Sequence, residues 1–517
     1  MKKFFGIFLA LVLVLPGATA FADAYLPEDV PRTGDSVLFT IMEDSTAGLS
    51  QTMLIADKRR GSQQESWNCS SIDDPECKLS SKADALWGAT VLGVCEAPTD
   101  VNCIEDFQIA LESQELKSAV FKERSLGWSI PENKSLNYPG GGNPTLWVAE
   151  HAATPSGATE YMVNLRVGGG FRPGGKWDPG ELMVNVAPYK IITGDRFKTL
   201  TTSDGKDERT GLRRYGFSGG AGPGECAWAD EGRCGRLQDF APGTKVKVVV
   251  RVPKELGGWF KGSMKGPTIE VSSFNRDYNR ISVEAEPVEV PRIFYEVQKP
   301  DMSEKEKEFY FDSNGGSKYG SSSWAQASYF TIFDWLRYFK PKVKDTASGS
   351  NTVWNFGTVQ TGRGSRCLVN DSRVLGIVTT NSMGYDGSSP SYARGSLNYR
   401  VTGLHFTADG KTPILGTYDL VMRSDVARCL YGLSRAPVGA TITVAGEGDT
   451  TIATTVVGEK DGWLKLAAYG FTFSNKTIQV RLTQKRTTIT CVSTTQPTKT
   501  RKVTGLAPKC PTGFKKR

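Results

Sequence analysis

Short runs of β-branched and large apolar residues recur along the whole chain, alternating with polar residues and cut by Gly, Pro, Asn and Asp. Alternation at period two marks a strand with one buried face, and the intervening residues are those that close turns. Ser36–Met42, Tyr161–Val167, Glu181–Val186 and Lys245–Val252 have this form, the last opening Lys-Val-Lys-Val. Arg280–Val290 sets Ile281, Val283 and Ala285 against polar neighbours, and Leu397–Val401, Tyr418–Met422, Thr441–Ala445, Thr451–Val457, Trp463–Ala467 and Thr477–Leu482 continue the series. The spacing predicts a mainly β, multi-domain protein of antiparallel β-sandwich or barrel-like domains with few short helices, not βαβ units. The best helix candidate is Ser323–Phe339. Its Trp324, Tyr329, Phe330, Phe333, Trp335, Tyr338 and Phe339 read mostly as one core-facing stripe. Gly140–Gly142 and the Gly168–Gly175 region read as exposed loops.

The start of the chain follows a different rule. Lys2 and Lys3 precede an apolar run, Phe4 to Leu15, which Pro16-Gly17 breaks before the small residues Ala18, Ala20 and Ala22. This is the order of a secretory signal peptide, and the run is too short to span a bilayer as an anchor. Residues 1–22 are therefore expected to be removed after Ala22, with Ala20 and Ala24 as rival sites, leaving a protein that is secreted, extracellular or cell-wall associated. No later segment is long and apolar enough to cross a membrane as a helix. The remaining length suits several domains. Composition suggests 23–298 as an N-terminal β-rich domain or pair of domains and 299–436 as a central one, divided near Pro300 where the charge run Glu304–Glu308 begins. A small β unit, 437–484, would follow Ala436-Pro437, and a basic module, 485–517, would close the chain.

An even set of ten cysteines after a signal peptide reads as disulfides. Cys69/Cys77, Cys95/Cys103 and Cys226/Cys234 share the spacing C-x7-C and are expected to close three local loops, each holding acidic residues such as Asp73, Asp74 and Glu76, Glu96 and Asp100, or Asp230 and Glu231. Cys367 would then pair with Cys429, and Cys491 with Cys510.

Charge changes the picture at one end. The whole chain is +8 and loses two charges with Lys2 and Lys3. Residues 485–517 contain Lys485, Arg486, Lys499, Arg501, Lys502, Lys509, Lys515, Lys516 and Arg517 and no acidic residue, so these nine cations account for more than the remaining +6 and leave −3 on 23–484. Clustered cations without acids attract polyanions. For an exported chain the expected partners are cell-wall or extracellular polyanions and glycans, with nucleic acid not the native target.

Catalytic patterns are poor. Gly216-Phe217-Ser218-Gly219-Gly220 fits the nucleophile-elbow pattern, but Gly222, Pro223 and Gly224 follow where a helix must start, and a triad would need His151 or His405. Gly170 to Lys176 spells G-x4-G-K, yet Trp177 replaces the magnesium-holding hydroxyl and Asp178-Pro179-Gly180 forbids the helix, so a turn is expected. The cysteine spacing does not suit zinc. Calcium would suit Asp312–Gly315, Asp204–Glu208 or the acidic disulfide loops better, although ordinary solvated turns are the favoured reading and no cofactor is expected. Trp177 and Trp259 sit beside glycines and turn residues and read as exposed ligand contacts.

Two stretches carry a resemblance. Ile489-Thr490-Cys491 through Pro508-Lys509-Cys510-Pro511-Thr512-Gly513-Phe514-Lys515-Lys516 resembles a C-terminal basic module of secreted actinobacterial proteins that are themselves uncharacterised. Arg428-Cys429-Leu430-Tyr431-Gly432, Asp461-Gly462-Trp463-Leu464 and Tyr469-Gly470-Phe471 resemble the β unit that precedes it. The resemblance implies an exported, wall-associated protein of a Gram-positive bacterium and transfers no catalytic residue. The expected function is thus a non-catalytic binding or adhesion protein for extracellular polymers, held by its basic tail. The alternative is a secreted hydrolase acting on polysaccharide or peptide.

Overall fold

The computed structural model describes residues 34–43, 52–60, 63–126, 129–171, 175–194, 226–230, 232–311, 322–359, 367, 373–434, 438–446, 454–473, 475–484, 486–506 and 508–517. Residues 1–22, read as a signal peptide, the Gly216–Gly220 motif with Ser218, the oxygen clusters Asp204–Glu208 and Asp312–Gly315, Glu231 and Lys485 lie outside them.

The protein is mainly β, as the alternation predicts, and a single sheet of sixteen strands organises it. From one edge the path runs through Gln63–Asn68, Met53–Arg60, Ala85–Leu92, Glu160–Phe171, Asp178–Thr193 and Gly349–Val359. It continues through Gly258–Ser263, Val374–Thr380, Leu415–Arg423 and Trp463–Thr472 to Thr454–Lys460. Every ladder on this path is antiparallel except that between Gly258–Ser263 and Val374–Thr380.

On one side lies a five-stranded sheet, Lys265–Ser273, Tyr278–Glu286, Lys245–Pro253, Cys103–Ala110 and Lys117–Ser118. Its Phe107, Val246, Val248 and Ile281 meet Val163, Leu165, Val184 and Phe356 of the long sheet in one core, which is sandwich packing. On the other side a second five-stranded sheet, containing Ser396–Thr402, Lys476–Gln484 and Val438–Gly446, joins the helices Ile332–Lys342 and Ser424–Tyr431 over a second core with Leu420 and Leu466. The middle of the long sheet therefore feeds both cores. Trp259 enters one and Phe260 the other, as do Leu420 and Val421. Burial on both faces explains why Val374–Thr380 is apolar without strict alternation, all seven residues being buried. A buried carboxylate ties the layers: Asp419 accepts from the Tyr469 hydroxyl at 2.6 Å and from the Gly266 amide at 3.0 Å.

Long-range pairing corrects the expected divisions. Ser36–Met42 pairs with Phe294–Gln298 and, in parallel, with Ser322–Gln326, so the pairing crosses the boundary near Pro300. Gly258–Ser263 is inserted between Gly349–Val359 and Val374–Thr380. The four strands of 437–484 form but do not make a unit. Thr454–Lys460 and Trp463–Thr472 extend the long sheet, while Val438–Gly446 and Lys476–Gln484 build on Ser396–Thr402. The expected helix 323–339 is also divided: Ser322–Gln326 is a strand, and the helix runs from Ile332 to Lys342, burying Ile332, Phe333, Trp335, Leu336 and Phe339. Gly140 and Gly142, expected in an exposed loop, are buried.

All ten cysteines are paired in the expected way, as Cys69–Cys77, Cys95–Cys103, Cys226–Cys234, Cys367–Cys429 and Cys491–Cys510. The structure adds the setting of two of them: Cys69, Cys77, Cys226 and Cys234 close their short loops from the interior, all four residues being wholly buried. Cys69 and Cys77 belong to the core that holds Leu54 and Ala83. Cys226 and Cys234 pack with Tyr189 and Trp228 in a small core of their own, Cys234 lying on a strand opposite Ile192 rather than in a loop. The physical reason is that a disulfide is an apolar group and is drawn inward; in the first loop Asp73 and Glu76 stay exposed while Asp74 is buried with the bridge. The last bridge lies in a separate three-stranded sheet, Thr487–Ser493 flanked by Thr500–Gly505 and Phe514–Lys516. Among the described residues no helix is long and apolar enough to cross a membrane.

Candidate polyanion interface

The basic module is built by alternation along its central strand. Cys491 and Ser493 point to one face and are buried. Directly opposite them stand Arg501 and Lys516 at Cys491, and Phe514 at Ser493, while Val503 faces Ile489. The bridge to Cys510 draws the 508–512 segment towards this face and gives the small sheet its core. The other face carries Thr488, Thr490 and Val492 with Thr500, Lys502 and Thr504 on one flank and Lys515 on the other. Of these, Thr488, Thr500, Lys502, Thr504 and Lys515 are exposed. The Thr488 and Thr504 hydroxyls share a hydrogen bond of 2.7 Å, which fixes the register at that end.

Cations bracket the central strand at successive positions. Thr490 stands opposite Lys502, and the Arg517 amide donates to its carbonyl at 3.0 Å from the other flank. Cys491 lies between Arg501 and Lys516, and Val492 beside Lys515. Adjacent strands are about 4.8 Å apart, so flanking cations start roughly 10 Å apart at the backbone. The Arg501 guanidinium rests 5.9 Å from the Phe514 ring, a contact that orients it. Arg486, Lys499, Arg501, Lys502, Lys509, Lys515, Lys516 and Arg517 are all exposed, and none forms an ion pair with a described carboxylate.

Several cations elsewhere are matched. Arg251 and Arg280 share Glu105 at 2.8 Å each, holding its carboxyl below the usual range against the cost of burial. Lys342 meets Glu306 at 3.0 Å, Arg428 meets Glu459 at 2.7 Å, and Arg373 and Arg423 share Asp425. These local cancellations contrast with the module, where cations cluster with no acid among them.

The two aromatic candidates are overturned. Trp177 is 6% exposed and packs against Tyr138 and Phe171 at ring separations of 5.2 and 5.1 Å. Trp259 is wholly buried. Glycine beside tryptophan signals here a seat rather than an open loop. A Cβ on Gly169 would lie 2.7 Å from the Trp177 ring, and one on Gly376 2.6 Å from the Trp259 ring. Gly168–Gly170, expected in a loop, belong to the strand Glu160–Phe171.

Other candidates take structural parts. Gly170 pairs with Asp178 across the G-x4-G-K stretch, whose residues 172–174 lie outside the described residues. His151 bonds the Ile109 carbonyl through Nε2 at 3.0 Å. The His405 Nδ1 is held by the Asp345 carboxylate, whose other oxygen accepts from the His405 amide at 2.8 Å. This is an oriented imidazole that sequence reasoning had not paired. In the disulfide loops, Asp74 accepts from the Ser70 and Glu76 amides and Asp100 from those of Glu96 and Ala97, so both carboxylates close turns. Among the described residues no three His, Cys, Asp or Glu side chains converge as metal ligands.

Neither a protein-family model, nor a known protein, nor a solved structure matches the chain.

Proposed function

We propose that this is an exported, surface-associated binding protein whose basic sheet, Arg486–Arg517, holds it non-covalently to extracellular polyanions while the disulfide-stapled β body faces other extracellular polymers. The observation that carries the reading is the exposure of eight cations on a sheet with no acid of its own. Fully paired cysteines fit an oxidising compartment, and the order of residues 1–22 fits export. In a Gram-positive envelope the polyanion would be a teichoic acid or an acidic polysaccharide. Deleting 485–517 should move the protein from the cell surface into the medium. Retention that persists after the deletion, or that resists salt, would remove the tail as anchor.

A secreted hydrolase is the second reading, and the Asp345–His405 pair is what favours it, since an aspartate-oriented imidazole is half of a general-base arrangement. His405→Ala tested on polysaccharide and casein substrates separates the two: loss of a measurable hydrolysis would favour the enzyme.

A further inference from the structure

The long sheet splits at one place. The ladder between Asp178–Thr193 and Gly349–Val359 runs from Val186↔Trp354 to Met183↔Gly357 and ends there. Beyond it, an irregularity between Pro179 and Glu181 keeps the first strand with Glu160–Phe171, while the second stays with Gly258–Ser263 as far as Val359↔Trp259. The strands part around a cleft of about 380 Å³, a size within the usual range for small-ligand sites. One bond spans its base, from the Leu182 amide to the Thr358 hydroxyl at 2.9 Å.

The cleft is rigid at its floor. Asn355 and Tyr385, 4% and 1% exposed, line it. Behind them the buried Glu43 carboxylate accepts from Asn355 Nδ2 at 2.8 Å, Ser263 Oγ at 2.8 Å and the Tyr385 hydroxyl at 3.3 Å. The Asn355 Oδ1 in turn accepts from the Ser263 amide at 3.2 Å. The floor groups are thus set before any ligand arrives, which is what preorganised binding needs. Lys261, 5.7 Å over the Tyr385 ring, and Glu181 lie on the walls.

The lip is aromatic. Tyr329 lines the cleft, and Phe330 follows it; they are 55% and 85% exposed. Their backbone is fastened beneath: Tyr385 donates its amide to the Ala327 carbonyl at 2.9 Å. Gly387 passes so close that a Cβ there would meet the Ser328 oxygen at 2.2 Å. Two adjacent exposed rings on an anchored backbone, above a fixed polar floor, are not explained by the core.

We propose that this cleft binds a neutral sugar ring of an extracellular glycan, a hexose or N-acetylhexosamine, stacked on Tyr329 and Phe330 with its hydroxyls towards Asn355, Lys261 and Glu181. A sugar offers an apolar C–H face and a rim of donors and acceptors, and so matches the exposed Tyr329 ring at the lip set against mixed polar groups. A wholly apolar ligand would desolvate those polar groups and offer them no hydrogen bonds in exchange. A phosphorylated one would meet the Glu181 carboxylate, which already accepts from Arg166 at 3.2 Å, as well as the Lys261 ammonium. The site lies outside the basic module and does not depend on it for binding.

The test uses the full exported chain with chitotriose, cellotriose and mannotriose as probes, followed by saturation-transfer NMR and calorimetry. At least one trisaccharide should bind, and Tyr329→Ala/Phe330→Ala should weaken it about tenfold or more, as loss of a stacking anchor does. Both rings are exposed, so an unchanged melting temperature certifies the variant's fold. Binding should ignore salt and survive Lys502→Ala/Lys515→Ala. Absence of binding at about 10 mM sugar, well above the weakest useful affinity, would overturn the proposal. So would binding indifferent to the two aromatic substitutions, or binding lost with salt. Those outcomes leave the polyanion reading standing, since its own readout is the salt-sensitive one.

Discussion

The two faces of the basic sheet make a quantitative prediction. The open face presents Lys502 and Lys515, and Arg517 continues the row through its bond to Thr490. The opposite face, closed by the Cys491–Cys510 bridge, carries Arg501 and Lys516. A linear polyanion laid on the open face would neutralise three cations at once. On the counterion-release relation for a single-stranded polyanion, each contact contributes about 0.7 to the slope of log affinity against log salt. Three contacts give a slope near 2, so a tenfold rise in salt should weaken binding roughly a hundredfold, or about 3 kcal/mol. The assay is titration of labelled inorganic polyphosphate by anisotropy across a salt series. Lys502→Ala/Lys515→Ala/Arg517→Ala should flatten most of the slope. Arg501→Ala/Lys516→Ala, which removes two charges from the other face, should leave a slope near 2. If the two variants lose slope only in proportion to the charges removed, the attraction is diffuse and the face-specific reading is wrong.

Further outcomes follow from the same structure. Among the described residues each strand of the module pairs only within it, so truncation before residue 485 should leave the melting temperature of the rest nearly unchanged; a drop of several degrees would mean that the sheet supports the body. Cys367→Ser/Cys429→Ser opens a closure of sequence separation 62 and should cost about 4 kcal/mol in chemical denaturation, against about 2.6 kcal/mol for Cys95→Ser/Cys103→Ser; a smaller loss at Cys367–Cys429 than at Cys95–Cys103 would contradict the chain-entropy account. Burial raises the Asp419 carboxyl above its ordinary range, with Tyr469 and Gly266 pulling it back. The fold therefore favours the protonated form, and the group costs stability progressively as pH climbs from its unfolded value through its folded one. Asp419→Asn should accordingly gain on the parent between about pH 3 and pH 7 in thermal melts, and a pH-independent difference would refute this.

How much of this was legible in the sequence depends on range. Ser36–Met42 coincides with its observed strand because the signal is local alternation. The cysteine pairs followed from equal spacing and even number, which are also local. The burial of Cys77 and Cys234 did not follow, because the residues that cover them, such as Leu54 and Tyr189, come from other strands. The module was found by its charge, and its strands pair as a separate sheet. Domain boundaries failed because composition marks loops and charge runs, whereas the sheet is assembled from partners such as Gly258–Ser263 and Val374–Thr380, more than a hundred residues apart. Trp177 and Trp259 failed because the glycines that accommodate a large ring look the same in sequence as those that open a turn. The cleft at Asn355 and Tyr385 left no signal, since the group that orders it, Glu43, is more than three hundred positions from either.

The insertion of Gly258–Ser263 between two later strands has a kinetic consequence. Neither core can close until residues 349–380 are present to take their places on both sides of it. Closure over such distances is slow, because the entropy of the intervening chain is lost before many contacts reward it. On the proposed export, a polypeptide threaded through a narrow channel, amino end first, would thus stay pliant for most of its passage. The short cystine loops Cys69–Cys77, Cys95–Cys103 and Cys226–Cys234 can form as they emerge, while Cys367–Cys429 locks only after the late strands have docked.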